Sequence, residues 1–131
     1  MSLVKYIFLD SLGDERGHLS VLEQNKNIPF NIKRVYYLVN TKQGVSRGFH
    51  AHKELEQVAV CVSGSCNMLL ENGSEKVTVL LDSPVKAIRI EPMVWHEMHD
   101  FSEDCVLLVL ASDYYDESDY IRDYQEFIGK I

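Results

Sequence analysis

An all-β fold is the first prediction from this sequence, and it depends on two features of the pattern. Short runs of β-branched and aromatic residues follow one another, and turn residues separate them about every 8–12 positions. Segments with helical periodicity do not lie between these runs, whereas parallel strands need helical crossovers. Roughly nine or ten short strands in this arrangement predict a sandwich or a closed barrel.

The individual strands are predicted from apolar runs that end at turn residues. Residues 4–9 are interpreted as an edge strand, and residues 106–111 as a buried strand because their apolar run is continuous. Asn72-Gly73 is a strong hairpin signal. The predicted strands cover residues 4–9, 19–23, 32–39, 47–52, 58–62, 66–70, 75–81, 87–90, 94–99 and 106–111.

The C-terminal tail is the one segment whose apolar residues have near-helical spacing. Between residues 116 and 128, Tyr120 and Tyr124 lie four positions apart, on one face of a helix. Asp116 or Ser118 could cap the start of such a helix. A short C-terminal helix is therefore predicted.

The composition is that of one globular domain spanning residues 1–131. Hydrophobic residues make up 46% and charged residues 25% of the chain, which is ordinary for a soluble protein. The net charge of −7 repels nucleic-acid backbones and anionic membranes, so neither is expected as a partner. No apolar run approaches the roughly 20 residues that span a bilayer, and the first residues do not resemble a signal peptide. A cytoplasmic protein is expected.

The three cysteines are expected to be buried free thiols. Cys61, Cys66 and Cys105 all lie in apolar runs, and an odd number of cysteines is typical of a reducing compartment. A disulfide between Cys61 and Cys66 is the alternative.

The pair His50 and His52 is the first candidate for chemistry. Alternate side chains of a strand share a face, so the two imidazoles are expected on one face, about 6.5 Å apart. Strict alternation puts Arg47 on the opposite face unless Gly48 introduces a bulge. Two imidazoles near an arginine could bind a divalent metal or transfer protons on an anionic substrate. The simpler alternative is a pair of exposed or hydrogen-bonded histidines.

The spacing around this pair resembles the two sequence motifs of the cupins. The second motif departs from the family at one point, because Val94 stands where a glycine is expected. The resemblance implies a cupin jelly-roll β-barrel. The positions that match are Gly44, His50, His52, Glu56 and Gly64 in the first motif and Pro92 and His96 in the second.

Metal-binding cupins take their ligands from these motifs. His50, His52, Glu56 and His96 would make a site of three imidazoles and one carboxylate, which suits Mn, Fe, Ni or Zn. A metal-dependent enzyme with these four ligands is the main alternative for the site.

An ordered set of longer segments gives a more specific resemblance. Residues 28–37, 47–52, 94–102, 111–116 and 119–122 resemble those of the dTDP-4-keto-6-deoxy-D-glucose 3,4-ketoisomerases. This resemblance implies a homodimeric cupin that acts on a dTDP-linked keto sugar without a metal or other cofactor. It also implies that the product, a 3-keto sugar, supplies an aminotransferase for surface glycans or antibiotic sugars.

The implied reaction moves a sugar ketone from C4 to C3. The hydrogen on C3 is acidic because it adjoins the C4 carbonyl, and a general base that removes it produces an enediol. We expect His52 to act as the base at C3 and His50 to handle the proton at C4. The hydrogen-bond donor to the enediolate oxygen is expected to be Tyr37, Arg47 or Trp95.

The nucleotide diphosphate needs cationic partners, and arginine suits phosphate best. Arg16 and Arg34 are the candidates, with a solvated surface charge as the alternative for each. Tyr36 and Tyr37 must face opposite sides of their strand, so only one of them can line the barrel. The predicted substrate contacts are Tyr37, Arg47, Arg16, Arg34, Trp95 and His96.

Several alternatives stay open. Trp95 could wall the pocket or simply fill the core, and residues 114–120 are interpreted as a cap over the barrel or a dimer contact. An epimerase acting on the same substrate, or a non-catalytic cupin that senses a sugar nucleotide, would use the same fold. The string from Gly48 to His52, with residues 95–98, resembles the members that form a galacto-type product.

Overall fold

The protein, here a computed structural model that describes residues 3–131, is built from short antiparallel strands. Within that range the strands form two five-stranded sheets and one separate hairpin. In chain order they are β1 Lys5–Phe8, β2 Leu12–Asp14, β3 Gly17–Leu19, β4 Arg34–Leu38, β5 Arg47–His52, β6 Gln57–Ser63, β7 Cys66–Glu71, β8 Lys76–Leu81, β9 Lys86–Ile90, β10 Trp95–His99, β11 Val106–Ala111 and β12 Tyr120–Ile121. A 3-10 turn at Glu117–Asp119 precedes β12, and the helix α1 covers Tyr124–Lys130.

The two sheets pack with their inner faces together and enclose a common core. Their strand orders are β1-β9-β6-β11-β4 and β12-β5-β10-β7-β8. Cys61 and Leu107 reach the core from the first sheet, and Met68 and Leu70 reach it from the second. The predicted all-β jelly-roll barrel with a short C-terminal helix is therefore confirmed.

Strand β6 lies at the centre of the first sheet and is buried on both faces. Ala59 and Cys61 point into the core between the sheets, whereas Val58 and Val60 pack outward against Ile28. The segment that precedes β4 thus covers the outside of this sheet. Burial on both faces explains why the run is continuously apolar rather than alternating.

Helix α1 covers the outer face of the second sheet. Phe127 is fully buried there against Ala51, Trp95 and Ile121. Because successive strand residues point to opposite faces, Trp95 faces the helix while its neighbour His96 faces the interior. The helix has seven residues, and no helix within residues 3–131 is long and apolar enough to cross a membrane.

The C-terminal helix begins later than its apolar spacing predicts. Asp116 caps the 3-10 turn, and Asp123 caps α1 by accepting hydrogen bonds from two main-chain amides. The predicted cap at Asp116 or Ser118 is therefore wrong for the α-helix. The pairing of β12 with β5 and the burial of Ile121 outweigh helix propensity, which differs by at most about 0.7 kcal/mol between ordinary residues.

Most of the other strands agree with the predictions, but β2 was not predicted and one predicted strand is wrong. Strand β11 spans the predicted residues, β1 lies at a sheet edge, and β7 and β8 form the hairpin at Asn72-Gly73. The predicted strand at residues 19–23 is wrong. The strand in this region, β3, ends at Leu19 because it pairs with β2 in the separate hairpin.

The three cysteines lie together in the core between the sheets. The Sγ atom of Cys61 is 3.7 Å from the Sγ atoms of both Cys66 and Cys105, and all three are free thiols. The structure thus agrees with the prediction of buried thiols, and the alternative disulfide between Cys61 and Cys66 is not formed.

Candidate active site

Three histidines meet inside the barrel, on two neighbouring strands of the second sheet. His50 and His52 come from β5, His96 comes from β10, and His50 lies directly opposite His96 in the ladder. One ligand atom of each side chain lies within 4.8 Å of the other two. The ring centroids of His50 and His52 are 5.0 Å apart. These three residues are called the histidine cluster below.

A bulge in β5 determines where His50 points. His50 opposes His96 and Gly48 opposes the next residue of β10, so Phe49 is an extra residue. Gly48 has a φ of 91° and Phe49 a φ of 61°. A Cβ atom on Gly48 would lie 3.0 Å from the carbonyl oxygen of His96, so glycine permits this close approach of the two strands.

The extra residue also changes the side on which Arg47 lies. Arg47 opposes Met98, which is two residues from His96 and on the same face of β10. In register, Arg47 therefore lies on the His50 side of the sheet, and its side chain is exposed. Strict alternation predicts that Arg47 lies on the opposite face, and this prediction is wrong because of the bulge.

A small pocket inside the barrel is lined by two members of the histidine cluster, His50 and His96, together with Tyr36 and Gln57. The Tyr36 hydroxyl donates a hydrogen bond to Oε1 of Gln57 at 2.6 Å. Burial raises the pKa of the Tyr36 phenol to about 12. Tyr36 therefore presents a neutral hydroxyl beside the histidines.

Tyr37 lies on the outer face of β4 instead. Its side chain is 64% exposed, while Tyr36 lines the inner pocket. The prediction that Tyr37 contacts a substrate in the barrel is wrong. Alternation shows that only one of the two tyrosines can face inward, but the packing of Tyr36 against the core between the sheets decides which one.

Tyr120 contacts two of the histidines, and the sequence did not indicate this. Its ring centroid lies 4.3 Å from that of His52 and 4.9 Å from that of His50. The guanidinium of Arg122 lies 4.3 Å from the same ring, and Arg122 is also paired with Glu117. The contact arises from the pairing of β12 with β5, which places Tyr120 opposite His52. Such a pairing of distant segments leaves no signal in a linear pattern.

A larger pocket is lined by His52 rather than by the other two histidines. It measures about 420 Å³ including its open mouth, and Arg34, Asp119 and Tyr120 also line it. The guanidinium of Arg34 lies 5.4 Å from the ring centroid of Tyr36, so Arg34 lies next to both pockets. The structure therefore brings this predicted phosphate contact close to the histidine cluster.

Burial keeps the imidazoles of the histidine cluster neutral. Desolvation, followed by repulsion between the rings, lowers the pKa of His52 to about 3 and that of His96 to about 3. Desolvation also lowers the pKa of His50. In addition, Nδ1–H of His50 donates to the carbonyl of Gly48, and Nδ1–H of His96 donates to that of Val94, each at 3.1 Å. The lone pair of these two rings is then on Nε2, which is the nitrogen of each ring that can accept a proton from a bound substrate.

Three imidazoles at this spacing could also hold a divalent cation, with main-chain carbonyls supporting Nδ1–H of two of them. Glu56, the predicted fourth ligand, does not join them. Its carboxylate is paired with Arg89, and the group of closely spaced ligand atoms around these rings comprises three histidines among the described residues. The predicted four-ligand set is therefore wrong at Glu56.

Two further predicted substrate contacts lie away from the histidine cluster. Arg16 is on the exposed β2–β3 hairpin, where it pairs with Asp14 at 2.7 Å, and it lines neither histidine pocket of this chain. Trp95 packs under α1, and its Nε1–H donates to Glu97 at 2.8 Å. Trp95 therefore fills the core, and its prediction as a substrate contact is wrong.

The chain matches one protein family over nearly its full length. Residues 2–131 match the family model described as FdtA: WxcM-like, C-terminal. The TDP-4-oxo-6-deoxy-alpha-D-glucose-3,4-oxoisomerase of Aneurinibacillus thermoaerophilus is 58% identical over 130 residues, which cover 97% of this chain and 94% of that protein. The chain belongs to this family of sugar-nucleotide 3,4-ketoisomerases.

Solved structures agree with this assignment. A 3,4-ketoisomerase from Helicobacter canadensis matches with a TM-score of 0.94 at 46% identity, covering 97% of this chain and 96% of that one. QdtA, a sugar 3,4-ketoisomerase from Thermoanaerobacterium thermosaccharolyticum in complex with TDP, matches with a TM-score of 0.95 at 45% identity, covering 98% and 93%. The ketoisomerase described here is thus an isomerase with a cupin-like barrel.

In this ketoisomerase the tertiary structure sorts the predicted site residues into two groups. Those that line the histidine pockets are His50, His52, His96 and Arg34. Those outside these pockets are Arg47, which is exposed on the His50 side of β5, together with Tyr37, Trp95, Arg16 and Glu56. It adds Tyr36, one of the two tyrosines that alternation left open, and Tyr120, which the sequence did not indicate.

Proposed function

We propose that this ketoisomerase converts a TDP-linked 4-keto-6-deoxy hexose into its 3-keto isomer, with His50 and His52 as the proton-transferring groups. The observation that carries the proposal is the pair of neutral imidazoles on one face of β5, next to two pockets. Two acid–base groups this close can serve two carbons joined by one bond. The names of relatives support the substrate class, since a histidine-to-asparagine mutant of QdtA was crystallised with TDP-4-keto-6-deoxyglucose.

In the proposed reaction, protons move and no external oxidant or reductant is needed. His52 takes the proton from C3, the electron pair of that bond forms the C3=C4 double bond, and His52 returns the proton to O4 to give the enediol. Nε2 of His50, which carries the lone pair, then takes the proton of the C3 hydroxyl and delivers it to C4. The C3 carbonyl forms, and the sugar has gained and lost equal numbers of protons.

We propose that three further residues hold the substrate. The protein has a net charge of −7, so an anionic nucleotide needs local cations to offset that field. Arg34 lies in the His52 pocket and is assigned to the diphosphate. Arg47, on the His50 side of β5, is assigned to the enediolate oxygen, and His96 is assigned to a sugar hydroxyl in the inner pocket.

We also propose a galacto-type configuration at C4 of the product. The support is the resemblance of residues 48–52 and 95–98 to the galacto-forming members of the family. The product, a 3-keto sugar, is a substrate for an aminotransferase, so a role in making amino sugars for surface glycans is proposed with it.

A homodimer in the cytoplasm is the proposed form of the protein. Among residues 3–131, β1 is an edge strand of the first sheet with a strand on one side only, and its Tyr6 and Phe8 are exposed. Exposed apolar edges are usually covered in the assembled protein. Sedimentation equilibrium of the purified protein would measure the mass, and a monomer at working concentration would contradict this part of the proposal.

An NMR time course tests the reaction directly. TDP-4-keto-6-deoxyglucose is incubated in deuterated buffer with purified protein and excess chelator. A 3-keto product with deuterium at C4 is expected, and the coupling of the C4 hydrogen in protonated buffer reports galacto or gluco configuration. A product inverted at one carbon, with the ketone still at C4, would instead identify an epimerase. Binding without turnover would identify a sugar-nucleotide sensor.

The histidine cluster also supports a second candidate, a metal-dependent isomerase. A divalent cation held by the three imidazoles would polarise the sugar carbonyl as a Lewis acid. The chelator in the same time course separates the two candidates. Activity that disappears with chelator and returns with one divalent metal would favour the metal enzyme over proton transfer by histidines alone.

A further inference from the structure

The carboxylate of Asp119 lies beside His52 at the edge of the second sheet. Its Oδ2 atom is 3.4 Å from Nδ1 of His52. The main chain holds both carboxylate oxygens, because Oδ1 accepts from the amide of Glu54 at 2.9 Å and Oδ2 accepts from that of Leu55 at 3.2 Å. These amides belong to the loop that directly follows His52. The carboxylate and the imidazole are therefore anchored to the same short stretch of backbone.

Nδ1 of His52 is the atom that this carboxylate can serve. His52 is only 2% exposed, and its Nδ1 makes no hydrogen bond within residues 3–131. The other two members of the histidine cluster both donate Nδ1–H to main-chain carbonyls. A buried N–H without an acceptor is unfavourable, and Oδ2 of Asp119 is an acceptor within reach of this one.

We propose that Asp119 is a positioning residue that selects the Nδ1–H tautomer of His52 and so keeps Nε2 as its basic nitrogen. A carboxylate attracts an N–H group and repels the lone pair that the other tautomer would direct toward it. The 3.4 Å separation is longer than the roughly 2.7–3.2 Å of a formed bond. Catalytic hydrogen bonds are often long in the free enzyme and shorten when substrate binds.

The charges around His52 give this carboxylate a second effect. The rings of His50 and His96 and the guanidinium groups of Arg34 and Arg122 all disfavour a positive charge on His52. When His52 accepts a proton from the substrate, the carboxylate at 3.4 Å offsets this repulsion and stabilises the imidazolium. Asp119 thus sets the tautomer before the transfer and balances the charge after it.

The inference rests on the proposed function for the role of His52. The experiment therefore measures the tautomer of His52 separately from the turnover of the enzyme. In protein labelled with ¹⁵N-histidine, the ring nitrogen shifts of a neutral imidazole distinguish the two tautomers. We expect His52 to be Nδ1–H in the wild type and to lose this preference in Asp119→Asn, because the amide carries no charge. We expect kcat of Asp119→Asn to fall about 10- to 100-fold, with KM unchanged, and Asp119→Glu to restore part of the loss.

Asp123→Asn is the matched control. Asp123 also accepts hydrogen bonds from two main-chain amides, those of Gln125 and Glu126. It belongs to the same C-terminal segment, but none of its contacts within residues 3–131 is with a histidine. Little change in stability is expected in this variant because asparagine caps a helix about as well as aspartate, and the His52 tautomer and kcat should stay as in the wild type.

Two results would overturn the proposal: an Nε2–H tautomer of His52 in the wild type, or an Nδ1–H tautomer that persists in Asp119→Asn. If Asp119→Asn does not fold, the wild-type tautomer alone decides. An Nδ1–H tautomer in a wild-type protein that does not isomerise the TDP-sugar would uphold the pairing of Asp119 with His52 and reject the proposed function instead.

Discussion

The histidine cluster and the group of Cys61, Cys66 and Cys105, called the cysteine cluster, both have closely spaced ligand atoms but differ in their surroundings. Each brings three potential metal ligands together, with ligand atoms within 4.8 Å of one another. The histidines line two pockets together with polar side chains. The cysteines are fully buried among apolar residues and contact one another. Closely spaced ligand atoms therefore do not make a functional site unless a ligand can enter and meet polar partners.

Burial shifts the pKa values of the two clusters in opposite directions, and the physical cause is the same. Loss of solvation disfavours the charged form of any group, so it lowers the pKa of the imidazoles and raises the pKa of the Cys105 thiol to about 12. The hydrogen bond with Cys66, together with burial, raises the pKa of Cys61 as well. A neutral imidazole is the form that accepts a proton, whereas a neutral thiol is the unreactive form.

The largest expected effect is on turnover, and it belongs to the histidine cluster alone. His50→Asn or His52→Asn should lower kcat by about 10²–10⁴-fold, the usual contribution of general acid–base catalysis, because asparagine cannot take up a proton. Steady-state kinetics on the TDP-sugar would measure this. His18→Asn, a change on the exposed β3 strand, is the control and should behave as the wild type. Equal activity in all three variants would contradict the assignment.

Acid should destabilise the protein through the histidine cluster and not through the cysteines. Unfolded histidine titrates near pH 6.5, whereas the pKa values of His52 and His96 in the folded protein are about 3. Below pH 6.5 the unfolded chain therefore binds more protons than the folded protein. The stability that the two neutral histidines contribute should be complete above pH 6.5. Below that pH the free energy of unfolding should fall toward pH 3, by up to about 1.4 kcal/mol per pH unit for each histidine.

Urea unfolding at several pH values measures this dependence. The thiols of Cys61 and Cys105, whose pKa values are raised in the folded protein, stay neutral over the same range, so they add no slope. His52→Asn should have a shallower dependence than the wild type because one lowered pKa is removed. A free energy of unfolding that rises as the pH falls below 6.5 would show that the buried rings are protonated in the folded protein.

The bulge at Gly48 provides a test of how the histidine cluster is held. Gly48→Ala places a side chain at a φ of 91° and 3.0 Å from a carbonyl oxygen, so it should cost about 1–3 kcal/mol of stability. It should also lower kcat, because His50 would move with the strand. Gly129→Ala in α1, where a Cβ meets nothing within 4 Å, is the matched control. Similar melting temperatures for both variants would argue against strain at the bulge.

The smallest effect is expected from the cysteine cluster, and it should appear in stability only. Cys61→Ser buries a hydroxyl in an apolar environment and should lower the free energy of unfolding by about 1–3 kcal/mol. We expect kcat to be unchanged, since none of the three thiols lines a histidine pocket. A large loss of kcat in a variant that is still folded would show that the two clusters are coupled.

The parts of the fold that depend on local pattern could be predicted from the sequence. The period of two places His50 and His52 on one face, the continuous apolar run gives β11, and Asn72-Gly73 marks a hairpin. Contacts between distant segments could not be predicted in this way. Tyr120 reaches His52 because β12 joins the edge of β5, and the residues between these strands do not encode that pairing in any periodic form.

The sequence by itself determined the all-β class, the family and the two histidines on one strand face, because alternation and motif order are properties of neighbouring residues. Only the tertiary structure decided that Tyr36 rather than Tyr37 faces inward and that Trp95 packs under the helix. It also decided that Glu56 pairs with Arg89 rather than with the histidines. The physical reason is that alternation shows which residues share a face, whereas burial summed over both sheets selects the face that points inward.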